Sequence, residues 1–117
     1  MRLNEIDFDD SVPVDGYGPG FFRVGGSVRP GAMIVSPVGI AEWSGLDDTK
    51  PLLDLAENID VLFVGTGEET AHLPGRFRAQ LEAVGIGVEA MNSPSACRTY
   101  NVLLSEGRRV ALAVLPV

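Results

Sequence analysis

"VLFVGTGEE", residues 61–69, runs from an unbroken apolar stretch into a glycine pair and then two carboxylates. Four apolar residues in a row, Val61 to Val64, are the pattern of a strand covered on both faces. Such a strand needs helices to cover it, and the flanking sequence supplies them. Upstream, Asp48 or Thr49 can cap a helix with Pro51 in its first turn and Leu52, Leu55, Ala56 and Ile59 on one face. Downstream, a helix begins near Pro74, buries Phe77, Leu81 and Val84, and stops at Gly85. Gly87 to Met91 is the next strand. Ser93-Pro94 then opens a third helix as an oxygen cap followed by proline. Its inward face is Ala96, Tyr100, Leu103 and Leu104, and Gly107 ends it. Arg109 to Leu115 is the last strand, closed by Pro116.

The first half is punctuated differently. Short apolar runs at Ile6 to Phe8 (an edge strand), Phe21 to Val24, Ala32 to Ser36 and Val38 to Trp43 read as strands. Gly16-Tyr17-Gly18-Pro19-Gly20 reads as a tight bend, and Pro30-Gly31 and Pro37 with Gly39 mark turns. The order β-β-β-β-α-β-α-β-α-β predicts an α/β fold of three layers. βαβ units of the second half build a mixed central sheet, and the first half contributes a small antiparallel addition. At 117 residues the chain is expected to be one domain, residues 1–117, burying about two thirds of its unfolded surface without a metal or disulfide staple.

Composition narrows the function classes. Sixteen acids against nine bases leave a net charge of −7, which argues against nucleic acid as a partner. Glu5, Asp7, Asp9, Asp10 and Asp15 crowd the start, as a solubilising segment or an acidic docking strip. No apolar run reaches the ~18 residues of a membrane span, and Met1 to Glu5 lacks a secretion signal's basic start and apolar core. Cys97 is the only cysteine, so no internal disulfide can form and a reducing, cytoplasmic setting is expected. One histidine and one cysteine cannot build a zinc site, and no cofactor is expected.

Two turns carry whatever chemistry the chain has. Gly65-Thr66-Gly67 lacks the third glycine of a dinucleotide fingerprint, and the chain has no Gly-Lys-Ser/Thr of a P-loop. Glu68 and Glu69 also put negative charge where phosphate would sit. The second turn opens "NSPSACRTYN", residues 92–101, where Ser93, Ser95 and Arg98 at a helix start suit an anion. Cys97, beside Arg98, is either core filler, about 60° from the centre of the apolar stripe, or a thiol activated by Arg98 and His72. Both turns fall at the carboxyl ends of strands, where open sheets usually bind ligands. Gly65, Thr66, Gly67, Ser93, Ser95, Cys97 and Arg98 are therefore the candidate ligand residues, with none assigned as catalytic. Trp43 reads as core, or as a binding anchor if exposed.

Gly16-Tyr17-Gly18-Pro19-Gly20 with Val24-Gly25-Gly26, the Pro37–Trp43 strand, Leu62 to Gly67 and above all "MNSPSACRTYNVLLSEGRRVALAVLP" (91–116) together resemble one family. It is the Mth938-like domains, family 498 among domains of unknown function, whose relatives include the mitochondrial respiratory complex I assembly factor 3. The resemblance implies a three-layer α/β fold and no settled enzymatic activity. It also implies a protein partner, with peripheral association to a membrane complex; a homo-oligomer is open on the sequence alone. Unlike the eukaryotic relative, the chain shows no mitochondrial presequence. Gly65, Gly67, Cys97, Arg98, Tyr100 and Asn101 are its motif positions, without an assigned role. A small-molecule or anion-binding protein or enzyme, using a cleft between the two turns, is the alternative.

Overall fold

The computed structural model describes residues 11–117, so the edge strand expected at Ile6 to Phe8 lies outside the described residues. Five strands come first: β1 (Val14–Gly18), β2 (Phe21–Val24), β3 (Ser27–Pro30), β4 (Met33–Ser36) and β5 (Gly39–Glu42). They are followed by α1 (Lys50–Leu53), β6 (Val61–Gly65), α2 (Gly75–Ala83), β7 (Gly87–Met91), α3 (Ser93–Ser105) and β8 (Val110–Val114). A small antiparallel sheet has the order β1-β2-β3, and the central mixed sheet has the order β5-β4-β8-β6-β7. The expected α/β architecture is present.

Handedness explains the layers. β6 is parallel to both β7 and β8 and lies between them. The connection through α2 therefore moves outward to β7, while the one through α3 moves back past β6 to β8. Two right-handed crossovers running in opposite directions must place their helices on opposite faces. Packing agrees with that requirement. Leu62, Val64, Ala111, Ala113 and Ile34 meet Phe77 and Leu81 of α2 and Leu52, Leu55 and Ile59 around α1 on one face. Phe63, Val110, Leu112, Val114, Met33 and Val35 meet Ala96, Cys97 and Tyr100 of α3, with Phe22 and Val24 of the small sheet, on the other. The strict two-residue alternation within buried strands is what lets one strand serve two cores.

Several local expectations need correction. Gly16 to Gly18 are the end of β1, paired with Phe21 to Arg23, and only Pro19-Gly20 form the bend. Ser27 to Pro30, which had no strand signal, pair with β2 across a Gly25-Gly26 turn whose positive φ values (58° and 82°) suit a two-residue hairpin. The first helix is a single turn, Lys50–Leu53, and Thr49 makes no side-chain cap bond. Leu55 and Ile59 are still buried, carried by turns beyond it. Val84 stays 45% exposed because α2 ends before it. Trp43 is core, its ring tilted against Phe77 with centroids 6.4 Å apart and its Nε1 donating to the Asp48 carbonyl.

What ties the small sheet to the rest is a pair of side chains on α3. Tyr100, fully buried, donates its hydroxyl to the Val12 carbonyl at 2.9 Å. Asn101 Nδ2 donates to the Val14 carbonyl and its Oδ1 accepts from the Val14 amide, both at 2.9 Å. Replacing Asn101→Ala leaves two backbone groups of Val14 without partners and is expected to cost about 1–3 kcal/mol in denaturant unfolding. Amide exchange in that variant should rise in β1 before it rises in β6 or β8. A uniform rise would show that the amide does not hold β1 locally.

Candidate functional site

Gly65, Thr66, Gly67 and Ser93 meet at the carboxyl ends of β6 and β7. There the chain leaves β6 toward α2 on one face and leaves β7 toward α3 on the other. Divergence of that kind normally opens a crevice between neighbouring strands. Here the two turns are bonded to each other. The Thr66 amide donates to the Met91 carbonyl at 2.9 Å and the Ser93 amide to the Gly67 carbonyl at 2.7 Å. Ser93 Oγ accepts from the Gly67 amide at 2.9 Å and donates to the Leu115 carbonyl at 2.6 Å. Thr66 Oγ1 donates within its own loop, to the Glu69 carbonyl, and accepts from the Ala71 amide. Gly65 fits only because it lacks a side chain, since a Cβ there would lie 2.7 Å from Ser93 Oγ and from Val114 Cγ1.

The remaining candidates separate. Asn92, not Ser93, caps α3, with Oδ1 accepting from the Ser95 amide at 2.8 Å. Ser93 takes the next position, fully buried. Asparagine and serine cap about equally well, so the pattern Asn-Ser-Pro alone does not choose between them. Arg98 is exposed and reaches back to Ser95 Oγ at 3.2 Å. Cys97 points into the α3-side core. His72 lies on the α2 side instead, lining a hollow of about 280 Å³ with Thr70, Leu73, Arg78 and Ala90. The sheet stands between thiol and imidazole. Burial pushes the Cys97 thiol from an ordinary 9.0 up to about 12, against a smaller downward pull from Arg98. Burial alone raises the Tyr100 phenol. Both groups thus remain protonated at neutral pH. Among the described residues no cluster of three or more His, Cys, Asp or Glu could hold a metal ion.

Sequence reasoning missed Thr70, whose hydroxyl accepts from the Asn92 amide, and the carbonyl of Leu115. A backbone acceptor leaves no trace in residue identity. The family described as "Protein of unknown function (DUF498/DUF598)" matches residues 14–115. The chain belongs to this family. An uncharacterized protein of Rhodobacter capsulatus is 46% identical over all of this chain and 94% of its own length. NADH dehydrogenase (ubiquinone) 1 alpha subcomplex assembly factor 3 of Danio rerio is 33% identical over 86% of this chain, which spans 62% of that protein. A "13 kDa major membrane protein" of Francisella tularensis is 31% identical over 98% of this chain and 99% of its own. The solution structure of a Mth938-like domain from Bordetella pertussis superposes with a TM-score of 0.76 at 34% identity, covering 99% of this chain and 92% of its own. In this family member the motif residues Gly65, Gly67, Tyr100 and Asn101 all serve contacts inside the fold.

Two measurements check this geometry. Gly65→Ala should lose about 1–3 kcal/mol from overpacking, while Gly75→Ala, with nothing within 4 Å of a new Cβ, should be neutral or slightly stabilising. Cys97 should resist alkylation in the folded protein and label only on unfolding. Because its folded pKa lies above its ordinary value, its contribution to stability is complete below pH 9.0 and is lost as pH rises toward about 12. Cys97→Ala should flatten that alkaline slope. An unchanged slope would contradict the burial.

Proposed function

We propose that this chain is a non-catalytic accessory factor, which binds other proteins during assembly of a respiratory membrane complex of the complex I type. The observation that carries the reading is the alignment with a protein named as a complex I assembly factor along 86% of this chain. The rim supports it. Its polar groups are bonded to one another, and its thiol is protonated and separated from the histidine by the sheet. No helix among the described residues is long and apolar enough to cross a membrane, and the reading places the chain on the cytoplasmic side of a complex that others anchor. The membrane protein of Francisella is compatible with peripheral attachment of that kind.

Deleting the gene should lower fully assembled complex I several-fold on native gels, with accumulation of subcomplexes. Re-expression of this chain should restore it, and Arg98→Ala should restore it equally. Normal assembly in the deletion strain would overturn the reading. Failure of Arg98→Ala alone would shift weight to an anion-binding role at the start of α3.

A further inference from the structure

Sheet edges carry unpaired N–H and C=O groups, and proteins that avoid unwanted pairing cover them. Among the described residues the sheets have four edges: β7 and β5 on the central sheet, β1 and β3 on the small one. Two are covered. Arg78 Nη1 donates to the Val88 carbonyl of β7 at 2.8 Å, and Glu89 adds an exposed charge to the same strand. Asn101 occupies both backbone groups of Val14 on β1. Among the described residues, β3 and β5 have no such cover. Among the described residues, the backbone of Ser27 to Pro30 is bonded only to β2, and that of Ile40 to Glu42 only to β4.

The two uncovered edges also share a space. A hollow of about 280 Å³ is walled by Val28, Arg29 and Pro30 of β3 and by Met33, Ala41 and Glu42 of the β4–β5 pair. Exposed valines stand on these same elements, Val28 at 51% and Val38, in the β4–β5 turn, at 61%. We propose that the outer edge of β5 takes an extended, basic segment of a partner protein as an added strand, with an apolar side chain of that segment filling the hollow. The proposal rests on the protein-binding role above and names the surface that performs it. Backbone groups left unpaired along a strand call for an extended partner. Charge selects its sign. Exposed Glu42 lies on the edge strand and exposed Asp47 just beyond it, on a chain of net charge −7. Among the described residues, Arg29, half-buried on the β3 wall, is the one cation lining the hollow. A second copy of the chain would bring two −7 charges together and is disfavoured.

The test uses purified, isotope-labelled protein and the blocked peptide Lys-Val-Lys-Val-Lys, followed by NMR. Shifts should concentrate at Val28 and Ile40 to Glu42, with slowed amide exchange along β5. Methylating the peptide's valine nitrogens should abolish binding, because it removes main-chain donors while keeping charge. Glu42→Lys should weaken binding about tenfold, and Glu106→Lys should leave it unchanged. Equal binding of the methylated peptide, or shifts scattered over other acidic loops, would overturn the proposal. So would β5 amides already protected in the free protein, the sign of an edge occupied by a second copy or by another part of the chain. Loss of the edge site leaves the assembly role standing, since that is read from complex I levels in cells. Normal complex I in the deletion strain would refute the assembly role without touching peptide binding.

Discussion

One buried hydroxyl joins three parts of the fold. Ser93 Oγ sits between the Gly67 amide, just past β6, and the Leu115 carbonyl, just past β8, at the start of α3. Leaving such a group unpaired costs about 1–3 kcal/mol, so the ends of two strands and a helix start stabilise one another through it. The same atom explains the glycine at 65, whose missing side chain is the space that Ser93 occupies. At the place where open sheets commonly admit ligands, the two turns here bond to each other and to Ser93 Oγ.

That closure shifts attention from the strand ends to the strand edges. Opposed crossovers give the central sheet two covered faces, and each face has its own apolar cluster. With both faces occupied, the surface left open is the periphery: the helix surfaces, the loops and the lateral strands. Among the described residues the periphery is uneven, with a guanidinium on β7 and an amide on β1 but no equivalent on β3 or β5.

Legibility in the sequence followed the strength of the local signal. The run Val61 to Val64 and the strand Gly87 to Met91 were readable because burial on two faces, or a glycine-bounded alternation, leaves a pattern in residue type. β1 and β3 were not, since Val14-Asp-Gly-Tyr-Gly18 and Ser27-Val-Arg-Pro30 carry turn-forming residues and few apolar ones. Their strand state comes from hairpin geometry and, for β1, from side chains of α3 far away in sequence. The candidate site divided in the same way. Its location at the strand ends followed from topology, and the adjacency of its two turns was foreseen. The inward bonding of Ser93 was hidden, because its acceptor is a main-chain oxygen.

Asn101 carries a wider implication. Its carboxamide offers one donor and one acceptor side by side, as a peptide unit does, so a helix presents the small sheet with an imitation of a neighbouring strand. An aspartate there could accept but not donate, a leucine could do neither, and a glutamine would overshoot by one methylene. The alignment of the hairpin is thus written into a single side chain outside it, and the two can drift in evolution only together.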